Sequence, residues 1–204
     1  MPEFSFLDFA EEVSNLDPVA YAYFDGILRN RTIILNEEIT ENILETVFIP
    51  LKKFEEDEDT TPVKLILNTP GGSVADGLML CGLIDNYKKP LEILVPGYAC
   101  SMGTIILCAG NKNPNVIKRC YPFSFALFHS GQTYVGGEST SVEDVMLFNK
   151  STDERIRNYI LANTNISAEV YDAHHRKQWY LTAEEMKDYK LVHEIIGENN
   201  NANS

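Results

Sequence analysis

Two apolar runs in this chain each stop at glycine, and that punctuation constrains the fold more than any other feature. Val63-Lys64-Leu65-Ile66-Leu67-Asn68 reads as a buried strand and ends in Thr69-Pro70-Gly71-Gly72, which cannot continue a sheet. Val74, Leu78, Cys81 and Ile84 then recur at helical spacing. The order repeats: Leu91-Glu92-Ile93-Leu94-Val95 reads as a strand, Gly97 to Gly103 as a turn, and Thr104 to Ala109 as a helix. Strand, glycine turn and helix, twice over, predict an α/β fold, and in open α/β sheets the carboxyl ends of strands are where ligands bind.

The remaining segments fit around these units. Residues 1–24, acidic and aromatic by turns, read as an N-terminal arm, residues 25–196 as a single domain, and the polar, Asn-rich residues 197–204 as a disordered tail. Thr32-Ile33-Ile34-Leu35 is a strand candidate. Thr40 caps an expected helix with Ile43, Val47 and Leu51 on one face. Glu55 to Asp59 is a charge run that reads as a solvated loop. Asn111 to Asn115 reads as a loop and Phe125 to His129 as a third strand. Ser141-Val142-Glu143-Asp144 opens a long helix expected over about 142–161. A shorter helix follows from about Ala168 to Arg176. Thr182-Ala183-Glu184-Glu185 caps another, and Leu191 to Ile196 is a final extended segment.

A chain of 204 residues, 44% hydrophobic, can bury one substantial core. Its net charge of -13 repels phosphate backbones, so nucleic acid is not an expected partner. No apolar stretch reaches a membrane span and the first residues lack a signal-peptide pattern, so the expectation is a cytoplasmic protein without a membrane partner. Cys81, Cys100, Cys108 and Cys120 form no C-x-x-C pair and read as reduced thiols.

The chemistry concentrates at the turns. Gly97-Tyr98-Ala99-Cys100-Ser101-Met102-Gly103 puts a hydroxyl at a strand-to-helix corner, where backbone N–H groups are left without partners. His129 ends an apolar strand, and Gly71-Gly72 supplies a second cluster of amides. Nucleophile, base and amide donors are the three parts of an acyl-transfer site.

With Asn68-Thr69-Pro70-Gly71-Gly72-Ser73-Val74, the Ser101 turn, Phe128-His129 and Tyr180-Leu181-Thr182-Ala183-Glu184-Glu185 in order, the chain resembles the Clp proteolytic subunit family from about Ile27 to Ile196. These are serine peptidases of the ClpP/crotonase fold. The resemblance implies repeated ββα units with a protruding handle helix. It implies Ser101 as nucleophile, His129 as general base, and the Gly72 and Met102 amides as the oxyanion hole. Gly71, Ser73, Val74 and the loop at Ser130 would hold substrate, peptide or unfolded protein, as an added strand. It further implies a homo-oligomer of heptameric rings, two of which make a tetradecamer. Peptides would be hydrolysed without ATP and proteins degraded with an AAA+ unfoldase partner. No cofactor or metal is implied.

The family's third catalytic position, an aspartate, is occupied here by Gln178. A carboxylate orients the imidazole and stabilises the imidazolium; an amide does the first and only weakly the second. Asp172 is an alternative orienting acid. Adjacent His174 and His175 on a helix diverge, which argues against a metal there. Ser130-Gly131-Gln132 also departs from the family's usual Gln-Pro. Two other functions stay open: a catalytically weak or inactive structural ring subunit, favoured by Gln178, and a crotonase-type acyl-CoA enzyme, which shares the fold and the paired amides.

Overall fold

A computed structural model of the protein describes residues 30–131, 139–174 and 177–198; the expected arm at 1–24 and residues 199–204 of the expected tail lie outside them. Strands β1 (Thr32–Leu35), β2 (Val63–Leu67), β3 (Leu91–Val95), β5 (Val116–Cys120) and β8 (Glu194–Ile195) form one sheet in the order β1-β2-β3-β5-β8. Every neighbouring pair is parallel. Parallel neighbours need crossovers, and helices supply them. Helix α1 (Ile49–Glu56) joins β1 to β2, and α2 (Val74–Asp85) joins β2 to β3. A smaller sheet stands beside the first. It holds β4 (Tyr98–Cys100), β6 (Phe125–Phe128) and β7 (Trp179–Leu181), with β6 central. Helix α3 (Met102–Cys108) runs from β4 back to β5. The chain continues through α4 (Ser139–Asn163), α5 (Ala168–His174) and α6 (Ala183–Asp188), which makes six α-helices among the described residues. The predicted α/β class holds.

The glycine punctuation works as expected at β2. Gly71 and Gly72 take φ +100° and +144°, backbone states that disfavour any residue with a Cβ. The chain then enters α2 through Ser73, whose hydroxyl accepts from the Asp76 N–H at 3.4 Å. Leu80, Cys81, Leu83 and Ile84 of α2 are buried, as is every residue of α3. Gly77 lets the two helices close: a Cβ there would lie 2.2 Å from Met102 Cγ.

Elsewhere the boundaries differ from expectation for physical reasons. Ile43, Val47 and Leu51 do share one buried face. The turn over Leu44–Phe48 is a π-helix, and it gives way to α1 at Pro50, which has no N–H to donate. The acidic run is not merely solvated. Asp57 pairs with Lys89 at 2.9 Å and with Arg31, a buried guanidinium that also donates to Phe54 O and Thr61 O. Strand β5 escapes an apolar-run criterion because Val116-Ile117-Lys118-Arg119-Cys120 carries two cations. Lys118 is nonetheless fully buried, in register with Ile93. The last strand shrinks to Glu194–Ile195 because the Leu191 and Val192 amides turn back to Met186 O. The long helix runs Ser139–Asn163, a few residues past 142–161 at each end.

Candidate active site

Ser101 is the corner between β4 and α3, at φ 54° and ψ −120°. Such a state costs about 1–3 kcal/mol for a residue with a Cβ and persists only when its surroundings fix it. Here they do. The Ser101 N–H donates to Leu127 O at 2.7 Å, and Ser101 O accepts from Thr104 N at 3.0 Å. The buried Thr104 hydroxyl lies 2.8 Å from both Ala99 O and Leu127 O, so one proton is shared between β4 and β6 directly beneath the corner.

Gly71 packs against this corner from β2. A Cβ on it would meet Cys100 O and Ser101 Cβ at 2.6 Å and Met102 N at 3.0 Å. Ile39 pairs with Gly72 in a short parallel bridge: Ile39 N donates to Gly71 O and Ser73 N to Ile39 O, both at 2.7 Å. Backbone groups of consecutive extended residues face opposite sides, so the Gly72 N–H points away from Ile39. Among the described residues neither the Gly72 nor the Met102 amide has an acceptor. Met102 N is free for a second reason: it is the first residue of α3 and has no carbonyl one turn back within the helix.

Ser101 and His129 line one cleft of about 380 Å³. Val74, Met102, Ile105 and Phe128 give it an apolar floor, and Ile156 and Arg157 of α4 close it from above. Ser130 also lines it, with Tyr171 of α5. Spacing arguments miss the α4 and α5 residues because nothing local ties those helices to the β4–α3 corner. A more open hollow of about 480 Å³, lined by Glu38, Glu41 and Asp76, lies on the Ile39 side of Ser73 and holds no nucleophile–base pair.

His129 Nδ1 lies 2.8 Å from Ser130 O. A carbonyl can only accept, so this bond requires the Nδ1–H tautomer and leaves Nε2 with its lone pair. Among the described residues no hydrogen bond joins Ser101 Oγ to His129, and none joins Gln178 to His129. Gln178 is exposed, and its Oε1 accepts from Tyr180 OH at 3.2 Å. Strand alternation explains this placement: Trp179 and Leu181 point inward, so residues 178 and 180 share the outer side. Asp172 is held by Arg157 through two bonds, at 2.8 and 2.6 Å. His174 stacks on Trp179 at 4.7 Å and its Nδ1 meets Val170 O, while His175 lies outside the described residues. Beside Ser101, Cys100 is half-buried, and burial pushes its thiol up, away from thiolate character.

A strained serine, an imidazole with a free Nε2 and the acceptor-less Met102 amide line one cleft, and the Gly72 amide follows Gly71, which packs on the same corner; these are parts that acyl transfer can use. The chain belongs to the Clp protease family, whose model matches residues 15–199. Membership supports a peptidase, and therefore a hydrolase. Among the described residues no helix is long and apolar enough to cross a membrane.

Proposed function

We propose that this protein is a serine endopeptidase in which Ser101 is the nucleophile, His129 the general base, and the Gly72 and Met102 amides the oxyanion hole. The single observation that carries the reading is the corner at Ser101, held at φ 54° beside His129 in one cleft. A peptide laid along the free edge of Gly72 to Val74 would present its scissile carbonyl to both amides. His129 Nε2 takes the Ser101 proton as Oγ bonds to the carbonyl carbon. The carbonyl oxygen becomes an oxyanion that accepts from the two N–H groups; as it re-forms the carbonyl the C–N bond breaks, and His129 gives the proton to the leaving amine. Water then repeats the sequence on the acyl-enzyme.

Ser130 O does part of what a carboxylate would do, since it holds the ring and its tautomer. It brings no full charge to offset the imidazolium, which predicts slower turnover than with an aspartate. Asp172 as a substitute, and Gly71, Ser73, Val74 and Ser130 as substrate contacts belong to this proposal; Gln178 belongs to it as a third member only in a state where its side chain turns from the outer side toward His129. So do cytoplasmic residence, heptameric rings paired through α4, and an ATP-driven unfoldase that feeds folded substrates. The second reading, a weakly active ring subunit, is favoured by the outward Gln178. Hydrolysis of short fluorogenic peptides by purified protein tests the choice. Cleavage that is lost in both Ser101→Ala and His129→Ala supports the peptidase; cleavage that survives Ser101→Ala rejects it.

A further inference from the structure

Lys118 occupies a position that the rest of its row gives to aliphatic side chains. Ile33, Leu65, Ile93 and Lys118 sit in register across β1, β2, β3 and β5, and all four are fully buried. Its ammonium donates to Leu107 O and, at 2.9 Å, to Ala109 O. These carbonyls close the last turn of α3, where a helix leaves acceptors without internal partners. Next to them Asp85 accepts from Gly110 N and from Tyr159 OH, both at 2.7 Å. The far end of α3 is therefore tied to β5 by the buried Lys118, and to α2 and α4 by the part-buried Asp85 and Tyr159. The near end is the Ser101 corner. Seven residues of helix, roughly 10 Å at 1.5 Å per residue, separate the two. Since every residue of α3 is buried in close packing, the helix transmits displacement as a rod.

We propose that Lys118 is a positioning residue for the reaction at Ser101: by gripping the Leu107 and Ala109 carbonyls it fixes α3, and through α3 the Ser101 hydroxyl and the Met102 amide. The inference rests on the serine-peptidase reading above. The groups that face Lys118 are Cys108 from α3, Cys81 and Asp85 from α2, Tyr159 from α4 through Asp85, and His193, whose Nδ1 accepts from Lys118 N at 2.8 Å. Burial pulls the Lys118 ammonium down to about 8 and pushes the Cys108 thiol up to about 12. The Cys81 thiol and Tyr159 phenol are pushed up as well, and His193 is pulled down, all chiefly by burial. Between pH 7.5 and 9.5, roughly, Lys118 is then the member of this group that changes charge.

Loss of that proton turns charge-assisted bonds into neutral ones of about half the strength. The grip loosens, yet the fold does not weaken. The folded-state value of about 8 lies below the ordinary lysine value, so the unfolded chain binds the extra proton between them. Relative to a variant without the lysine, wild-type stability therefore rises with pH through that window while reactivity at Ser101 falls. A purely structural lysine would give the same rise in stability and leave the labelling rate unchanged.

The test uses the full-length chain, a fluorophosphonate probe and pH 6.5 to 10, with thermal unfolding followed in parallel. Expected for wild type is a labelling rate at Ser101 that declines severalfold with a midpoint near pH 8. Lys118→Met should label about tenfold more slowly at pH 7 and show no decline near 8. Wild-type melting temperature should gain on that of Lys118→Met as pH rises from 8 to 10. Lys118→Met labelling at the wild-type rate, or with the same alkaline fall, overturns the proposal. Should Lys118→Met fail to fold, the wild-type profile decides alone: a flat rate from pH 7 to 10 overturns it. Absence of labelling at Ser101 in wild type overturns the serine reading itself, and this inference with it.

Discussion

Replacing Gly71 by alanine crowds the nucleophile corner while leaving Ser101, His129 and both amide donors chemically unchanged. Two costs follow from the geometry. The first is backbone: at φ +100° a Cβ adds about 1–3 kcal/mol. The second is contact. The new methyl would sit 2.6 Å from Cys100 O and from Ser101 Cβ, so the corner must retreat by about 0.8 Å to reach ordinary van der Waals distance. Overpacking of this kind costs about 1–3 kcal/mol, for a total loss of about 2–6 kcal/mol. A misplacement near 1 Å in a reacting group is worth about 10²-fold in rate. Gly71→Ala should thus lower the urea midpoint clearly and slow fluorophosphonate labelling of the folded protein about a hundredfold. Gly82→Ala is the matched control. It lies exposed inside α2 with nothing within 4 Å of its added Cβ, and it should gain about 0.5–1 kcal/mol with the labelling rate unchanged. A folded Gly71→Ala that labels within threefold of wild type would refute the link between Gly71 and the corner.

Gln178→Asp should leave peptide hydrolysis within about threefold of wild type, because residue 178 faces outward and Ser130 O already holds the His129 tautomer. A gain approaching 10⁴-fold would mean that residue 178 does reach the imidazole during catalysis. Arg31→Met should cost about 2 kcal/mol in urea unfolding, since it strips donors from Phe54 O, Thr61 O and Asp57 beneath α1; an unchanged midpoint contradicts this. The Cys108 thiol, pushed up by burial to about 12, stays protonated in the fold while the unfolded chain ionises near pH 9. Its stabilisation is complete below that pH and is lost above it. Wild-type unfolding free energy should accordingly fall relative to Cys108→Ala by about 1.4 kcal/mol per pH unit between 9 and 11. Parallel curves across that range would count against a buried, neutral thiol.

Much of the site could be read from the chain because its parts are local. An apolar run that ends in Pro-Gly-Gly has few other outcomes than a strand closing in a tight turn. The Ser-Met-Gly step between β4 and α3 leaves a half-buried serine on the wall of the cleft. What stayed hidden was set by distant partners. Strand β5 does not look like a strand because Lys118 breaks its apolar pattern, and Lys118 is acceptable in the core only through carbonyls of α3, several residues earlier in the chain. Arg31 likewise turns an acidic run that reads as a solvated loop into a buried-cation site. Counting along a motif assigned Gln178 to the third position, whereas the burial of Trp179 and Leu181 sends it outward. That alternation was present in the sequence, but only the pairing of β7 with β6 fixes which face is inside. The roof of the cleft, Ile156 and Arg157, depends on how α4 packs and leaves no local signature.

In the proposed reaction Ser101 carries out nucleophilic attack with His129 as its base. Mass-spectrometric mapping of a fluorophosphonate adduct on the native, full-length protein addresses it directly, with His129→Ala alongside. One adduct is expected, on Ser101, formed at least a hundredfold more slowly without the imidazole. An adduct on another residue, or one that forms on Ser101 equally fast in His129→Ala, would contradict it.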